Sequence, residues 1–204
     1  MKDIAALFDP ELLEKYDLAG PRYTSYPTAL EFSPEFEERQ FRQAVLTSSG
    51  SDLSVYIHIP FCHSLCYYCG CNKIITRNND KVEEYLQQLA QEIDYRAPLF
   101  SRFKVIQLHF GGGTPSELSI AQLDRLIKIL KSRLNFNDHA ERGLELDPRN
   151  IAVDYISGLA TLGFNRLSIG VQDTTREVQV AINRIQCTEH LARLMIRAKQ
   201  VNIK

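Results

Sequence analysis

Strand-like and helix-like patterns alternate four times along this chain of 204 residues. Each short β-rich run is followed by a longer segment with apolar residues at helical spacing. Parallel strands joined by helices require right-handed crossovers, so the pattern predicts an α/β fold with a parallel sheet. An open doubly wound sheet and a barrel both fit it. The predicted strand and helix pairs are 53–59 with 81–96, 105–110 with 119–134, 144–147 with 153–162, and 166–171 with 175–199.

Local signals mark the ends of these segments and the part of the chain before them. Ser119 is a predicted N-cap and Gly163 a predicted helix end. The first fifty residues form a polar lead-in punctuated by proline, with a short helical candidate at 34–47. We therefore predict a lead-in segment at 1–50 and a β/α domain at 51–204.

Composition narrows the classes of protein that this chain can belong to. It is 44% hydrophobic and 24% charged, with a formal net charge of -1, which is ordinary for a globular protein. Nothing in this balance favours nucleic acid or an anionic membrane as a partner. No apolar run approaches the roughly 20 residues of a membrane span, and the acidic N-terminus does not resemble a signal peptide. We predict a cytoplasmic location.

The unusual residues of the sequence follow the predicted strands. A cysteine-rich loop follows the first strand and GGGTP (111–115) follows the second. Glu145 lies near the end of the third strand, and GVQD (170–173) ends the fourth. Because ligands bind at the carboxyl ends of parallel strands, these features predict one site on one edge of the sheet.

The cysteine loop, HIPFCHSLCYYCGCNK at 58–73, holds four of the five cysteines. Such a compact block favours metal binding or redox chemistry over disulfides. Cys62, Cys66 and Cys69 have C-x3-C-x2-C spacing, which could hold an iron–sulfur cluster and leave one iron open. Cys71 could be a fourth ligand instead, which would give a closed zinc or electron-transfer site. Reactive or inert thiols are a third reading, and Cys187 is predicted to be a small buried residue.

Other candidate residues carry weaker signals. The GGGTP run is either a tight turn or a place where a ligand approaches the backbone. Glu145 is either a salt-bridge partner or a ligand contact, and the neighbouring leucines should point the opposite way. Tyrosines near the cysteine loop are by default core residues, and Gln172 and Arg184 are by default solvated. His58 and His109 are expected to be packed or hydrogen-bonded.

The C-x3-C-x2-C motif after a first strand resembles the signature of radical S-adenosylmethionine (SAM) enzymes. The wider set of motifs is similar to the oxygen-independent coproporphyrinogen III oxidase (coproporphyrinogen dehydrogenase) family, from about Tyr16 to Gln186. Thr174 departs from the family, where an aromatic is expected. The resemblance implies that 51–204 is an incomplete part of a partial (β/α)6 TIM-like barrel. The motifs are PRYTSYPT, YIHIPFCHSLCYYCGCNK, HFGGGTP, ELDPR and GFNRLSIGVQD.

The resemblance also implies roles for particular residues. Three cysteines would hold a [4Fe–4S] cluster whose open iron is chelated by SAM, and Cys71 would be a non-ligand beside it, with a candidate catalytic role. Gln172 and Arg184 would bind a second SAM. Arg22 and Tyr23 could approach substrate carboxylates, since arginine suits bidentate binding. The cluster ligands would be Cys62, Cys66 and Cys69, and the residues around the first SAM Tyr56, Tyr68, Gly112, Gly113, Thr114 and Glu145.

The implied reaction is oxidative decarboxylation of two propionates of coproporphyrinogen III, which gives protoporphyrinogen IX in anaerobic haem biosynthesis. It requires an external electron donor and acceptor, and full-length relatives are expected to be monomeric. A haem-carrier relative and a non-catalytic iron–sulfur or zinc module are the alternatives. Relatives continue beyond four β/α units, so we expect this chain to expose a sheet edge and to have little activity alone.

Overall fold

The computed structural model describes residues 9–17 and 28–204. The chain divides into two compact units, 1–44 and 45–204. In the first unit, Asp9 is the N-cap of helix α1 (Pro10–Tyr16), and its carboxylate accepts hydrogen bonds from two amides of the first turn. A 3-10 turn covers Ala29–Glu31, and helix α2 (Glu38–Thr47) crosses the division at residue 44.

The second unit consists of a four-stranded sheet, a two-stranded sheet and five further helices among the described residues. The predicted strand–helix alternation is therefore confirmed. The strands are β1 (Asp52–Ile59), β2 (Phe61–Cys62), β3 (Ile74–Ile75), β4 (Lys104–Gly112), β5 (Asn135–Leu146) and β6 (Arg166–Ile169). The helices are α3 (Asn79–Arg96), α4 (Ile120–Arg133), α5 (Val153–Thr161), α6 (Arg176–Ala181) and α7 (Thr188–Gln200).

The main sheet has the order β1-β4-β5-β6, and all its pairs are parallel. Spatial order therefore follows chain order. A doubly wound sheet reverses its order at a switch point, and this sheet does not. Right-handed crossovers that always advance in one direction place their helices on the same face, as in the wall of a barrel.

The helix-covered face of the sheet carries the hydrophobic core. Strand residues such as Leu108, Phe110 and Leu144 are almost fully buried. They pack against apolar positions of the helices, including Leu126 of α4 and Ile156 of α5. The alternation of side chains along a strand leaves the opposite face to polar residues, and this is the face on which the predicted site residues of β1 and β5 lie.

Hydrogen bonds between neighbouring strands stabilise the amino-terminal end of the polar face. Ser54 donates to Gln107 over 2.8 Å, and Gln107 donates to Glu141 over 2.9 Å. Arg166 then donates to Glu141 over 3.0 Å. This row of side chains crosses all four strands and fills the end of the sheet that lies away from the cysteine loop.

The predicted helix signals are confirmed, and two predicted segments are wrong in extent. Ser119 caps α4 in a reciprocal capping box with Gln122, and Gly163 follows α5 with φ of +87°. The third strand begins at Asn135 rather than at residue 144, because pairing with β4 extends it. The predicted helix at 175–199 is two helices separated by a turn at 182–187. No helix of the described residues is long and apolar enough to span a membrane.

Candidate functional site

A cavity of about 260 Å³ lies at the carboxyl ends of the main strands. It brings together the cysteine loop, the glycine run, the end of β5 and the segment after β6, as the sequence predicted for one edge of the sheet. Eleven of the predicted site residues line it. They are Cys62, Cys66, Tyr68, Cys69, Cys71, Gly112, Gly113, Thr114, Glu145, Gln172 and Arg184.

Two short strands flank the cysteine loop. The sequence did not predict these strands. Strands β2 and β3 pair in parallel, with Cys62 opposite Ile75. The amide of Thr76 donates to the carbonyl of Cys62 over 3.1 Å. Within the loop, Lys73 Nζ donates to the carbonyl of Cys69 over 2.9 Å. These bonds hold the three predicted ligand positions in one compact turn.

The outer side of the loop is fastened to the turn that follows α6. The amide of Tyr67 donates to the carbonyl of Ile182 over 3.0 Å. Asn183 Nδ2 donates to the carbonyl of Leu65 over 2.7 Å, although these residues are 118 positions apart. Asn183 has φ of +54°, a conformation that asparagine tolerates better than most residues. The turn that breaks the predicted helix is therefore the support of the cysteine loop.

The three cysteines of the motif have different surroundings. Thr114 Oγ1 donates to Cys62 Sγ over 3.2 Å. Cys66 Sγ receives two guanidinium groups, Arg184 Nη1 at 3.5 Å and Arg149 Nη2 at 3.6 Å. Burial raises the pKa of Cys62, and the Thr114 hydrogen bond opposes that rise. Two of the three sulfurs are thus hydrogen-bonded by buried groups on other elements.

The donor set fits an iron–sulfur cluster better than a single ion. Among residues 9–17 and 28–204, no group of three or more His, Cys, Asp or Glu side chains could hold one metal ion. A zinc site needs thiolates about 2.3 Å from one centre, so a preformed zinc site is not built here. A four-iron cluster is wider and uses thiolate ligands, and three thiols around one cavity suit it. Arg184 Nε, on a wall of this cavity, is buried and has no hydrogen-bond partner.

The remaining two cysteines differ in position. Cys71 is exposed and lines the cavity beside Cys69. Partial burial, followed by a hydrogen bond with Cys69, raises the pKa of the Cys71 thiol. Cys187 was predicted to be buried, which is wrong. It is exposed at the start of α7 and donates to Glu189 over 3.1 Å, because the broken helix places it at a surface turn.

Local packing accounts for all three glycines of GGGTP. A Cβ at Gly111 would lie 2.7 Å from the Tyr56 ring, and one at Gly113 would lie 2.7 Å from the backbone of Pro60. Gly112 has φ of +111°, and a Cβ there would lie 2.5 Å from the His58 ring. Both readings of the run therefore have support, since the chain needs these glycines and Gly112 and Gly113 also line the cavity.

Glu145 is held at the cavity by two donors on the neighbouring strand. Its Oε2 accepts from the amide of Gly112 over 3.2 Å, and its Oε1 lies 3.4 Å from His109 Nε2. The adjacent leucines, Leu144 and Leu146, are buried on the other face, as predicted. The carboxylate side chain remains 44% exposed. It is therefore a fixed acceptor that can still reach a ligand.

Tyr56 does not line the cavity. It lies on the polar face of β1, where its hydroxyl is 3.3 Å from His58 Nδ1 and its ring stacks with His109 at 6.1 Å. Burial, followed by the charge of Glu145, raises the pKa of Tyr56. His58 also bonds the carbonyl of Asn72 over 3.0 Å. Both histidines are thus hydrogen-bonded, as expected.

Gln172 and Arg184 enter the site from the fourth β/α unit. Gln172 has φ of +66°, which is uncommon for a residue other than glycine. The sequence position of Arg184 predicted a solvated side chain by default. In the structure the side chain is buried and donates to the carbonyl of Gly170 over 2.9 Å. Arg22 and Tyr23 lie outside the described residues, so their predicted role stays a prediction.

Asp147 and Arg149 belong to the site and were not singled out by sequence reasoning. Asp147 is buried and pairs with Arg149 at 2.6 Å and with Arg184 at 3.1 Å. Its amide donates a hydrogen bond to Ser116 Oγ over 3.1 Å. Burial opposes ionisation of Asp147, but the hydrogen bond from Arg149 and the charges of both arginines outweigh it, so its pKa is lowered. The motif ELDPR contained both residues, yet nothing in it indicated which thiol they face.

Comparison with known proteins gives a consistent family. A model of the radical SAM superfamily matches residues 56–204. The oxygen-independent coproporphyrinogen III oxidase of Escherichia coli K12 is 53% identical over 194 residues, which are 95% of this chain and 42% of that relative. The protein of that name from Mannheimia haemolytica is 49% identical over 142 residues, 70% of this chain and 97% of that relative.

A solved structure agrees with these sequence relatives. It is that of the Escherichia coli coproporphyrinogen III oxidase (HemN), described as a radical SAM enzyme, with a TM-score of 0.88 and 50% identity. The match covers 95% of this chain and 43% of that one. This chain therefore spans less than half the length of the Escherichia coli relative, and the fold of the described part is shared with it.

Proposed function

This chain belongs to the radical SAM superfamily and to the oxygen-independent coproporphyrinogen III oxidase family within it, and we propose that residues 51–204 provide the site that binds the cluster and SAM. The superfamily implies a [4Fe–4S] cluster and SAM. The single observation that carries the proposal is the cavity that Cys62, Cys66 and Cys69 line together with Glu145. Three thiols for a cluster and a fixed carboxylate for a ribose thus face one space.

The cysteines supply the ligands of the cluster and leave one iron for SAM. When bound, the cluster and SAM together supply a one-electron cleavage that yields a strong hydrogen-atom abstractor. Three protein thiolates are one fewer than the usual four, and Cys71 stands beside them as the non-ligand. Thr114 and Arg149 hold two of the thiols in place.

The walls of the cavity bind and orient SAM. Gly112 and His109 fix the two oxygens of Glu145, which would accept hydrogen bonds from the ribose hydroxyls. The backbone of Gly112 and Gly113, with Thr114, would contact the methionine end. Tyr68 lines the cavity and would pack near the adenine, and Tyr56 would lie close to SAM from the polar face of β1.

Gln172 and Arg184, which line the same cavity from the fourth unit, would hold a second SAM. Arg184 already donates to Asp147 and to the backbone carbonyl of Gly170. Its unpartnered Nε is the donor that a carboxylate could still take.

The reaction of the whole protein is the oxidative decarboxylation of coproporphyrinogen III to protoporphyrinogen IX. Its relatives carry the name oxygen-independent coproporphyrinogen III oxidase, which gives the substrate and the oxidation. The whole protein would need an external electron donor and an external electron acceptor as partners. Cys71, exposed at the cavity, is positioned for substrate handling or for this last electron transfer.

Anaerobic reconstitution with iron and sulfide tests the proposal. The reconstituted chain should give the electron paramagnetic resonance spectrum of a reduced [4Fe–4S] cluster, and SAM should change that spectrum by binding the open iron. Cys69→Ser should abolish the signal, whereas Cys187→Ser, which changes an exposed cysteine away from the cavity, should leave it intact.

Three results would oppose the proposal. A spectrum that SAM does not alter would indicate an iron–sulfur module without an open iron. Stoichiometric zinc without iron would indicate a structural metal site. Tight haem binding with no conversion of coproporphyrinogen by the whole protein would favour a haem carrier instead.

A further inference from the structure

The sulfur of Cys66 lies near two arginines, Arg149 and Arg184, which both pair with the carboxylate of Asp147. The side chains of Asp147, Arg149 and Arg184 are 7%, 13% and 9% exposed. Two positive charges and one negative charge leave a net charge of one positive unit in this buried group. Arginine stays protonated under all ordinary conditions, so this charge is permanent.

Arg149 contacts the carboxylate of Asp147 and the sulfur of Cys66 at the same time. Asp147 Oδ1 and Oδ2 each accept from Arg149 Nε at 3.0 Å, and Oδ2 accepts from Nη2 at 2.6 Å. The same Nη2 lies 3.6 Å from Cys66 Sγ. Such a bidentate pair fixes the plane of the guanidinium group. The carboxylate therefore aims the arginine at the thiol.

The described hydrogen bond to the sulfur of Cys62 comes from a neutral group. Its donor is the hydroxyl of Thr114, at 3.2 Å. Reduction adds one negative charge to a cluster, and the potential of such a centre depends on nearby charge and on hydrogen bonds to its sulfurs. A fixed positive charge beside one thiolate stabilises the reduced form, and it does so more strongly where water is excluded.

We propose that Arg149, aimed by Asp147, is a positioning residue that holds a positive charge against the Cys66 thiolate and raises the reduction potential of the cluster. This inference rests on the proposed function, because it requires the cluster. Arg149 has no proposed contact with SAM, unlike Arg184, so its role can be measured without disturbing that ligand.

The test is a potentiometric titration of the reconstituted chain with dithionite, followed by electron paramagnetic resonance. Arg149→Gln should lower the equilibrium constant for one-electron reduction about tenfold, which corresponds to about 59 mV. Arg149→Lys keeps the positive charge but loses the bidentate pairing with Asp147. The cluster potential of this variant should therefore lie between those of the unchanged chain and Arg149→Gln. The matched control is Arg133→Gln, which removes an exposed pair with Asp94 of the same 2.6 Å length, and it should not shift the potential.

The outcomes separate this inference from the proposed function. If the unchanged chain forms no cluster, the proposed function fails. If it forms a cluster whose potential is the same in Arg149→Gln, only the inference fails. Should Arg149→Gln not retain iron, Arg149→Lys decides, since a potential equal to or slightly below that of the unchanged chain supports the inference and a potential above it overturns the inference. Loss of the fold in both variants, measured by circular dichroism, would overturn it in favour of a purely structural ion pair.

Discussion

The amide of Gly112 donates a hydrogen bond to Oε2 of Glu145 over 3.2 Å. This bond ties the end of β4 to the end of β5 at the point where both reach the cavity. It depends on the unusual backbone of Gly112, whose φ is +111°. The geometry of the proposed ribose acceptor therefore depends on a glycine.

Gly112→Ala should destabilise the protein. The new Cβ would lie 2.5 Å from the His58 ring, and the strained backbone alone costs roughly 1–3 kcal/mol. Urea denaturation measures the free energy of unfolding. Gly50→Ala is the control, because its nearest neighbour would lie 3.8 Å away and its φ is not positive. Equal effects of the two substitutions would contradict the prediction.

Glu145→Gln should weaken SAM binding about tenfold, equivalent to about 1.4 kcal/mol. The amide keeps the shape of the side chain but replaces one charged acceptor by a donor. Equilibrium dialysis of the reconstituted chain with SAM measures the change in Kd. Glu141→Gln alters a carboxylate on the same strand that pairs with Arg166, away from the cavity. SAM affinity should stay unchanged in that control, and an equal loss in both variants would count against the ribose contact.

Cys71→Ser should retain its iron, whereas Cys69→Ser should lose it. The reason is that three thiolates hold the cluster and the fourth position belongs to SAM. Iron and sulfide content after anaerobic reconstitution is the measurement, with Cys187→Ser as the surface control. Complete loss of iron from Cys71→Ser would show that Cys71 is a fourth ligand and that no iron is open.

Asp147→Asn should cost about 3–5 kcal/mol at neutral pH, since it leaves two buried guanidinium groups without their partner. The folded protein lowers the pKa of Asp147. Its contribution to stability is therefore complete above the unfolded pKa of about 3.9 and is lost as the pH falls through the lower folded pKa. Unfolding free energies measured across this acid range should decline less steeply in the variant than in the unchanged chain.

A surface pair provides the comparison for Asp147→Asn. Asp94→Asn breaks a 2.6 Å pair with Arg133 whose side chains are about half exposed. Exposed pairs of this kind contribute about 0–1 kcal/mol. A loss in Asp147→Asn no larger than in Asp94→Asn would show that burial does not make this ion pair important.

Sequence patterns predicted the helices and strands well where the signal was local. Ser119 was recognisable as an N-cap because the cap and its partner, Gln122, are three residues apart. The break at 182–187 was not, since its helical periodicity continues through it. Asn183 adopts its turn because it bonds Leu65, 118 positions away, and a window of neighbouring residues contains no trace of that bond.

The site residues also differ in how far they could be predicted from local sequence. The spacing of Cys62, Cys66 and Cys69 was readable because all three lie in one short loop. The pairing of Asp147 with Arg184 was not, because it joins the third and fourth β/α units. Cys187 was assigned to the interior on its residue type, and the surface turn before α7 decided otherwise.

Local sequence patterns alone predicted the alternation of strands and helices, the spacing of the thiols and the edge of the sheet at which the unusual residues lie. These properties depend on periodicity and on spacing within a few residues. The order β1-β4-β5-β6 of the sheet and the approach of two arginines to Cys66 became apparent only in the folded chain. Such contacts depend on how successive crossovers stack, because the free energy that selects them comes from burial and hydrogen bonds between distant segments.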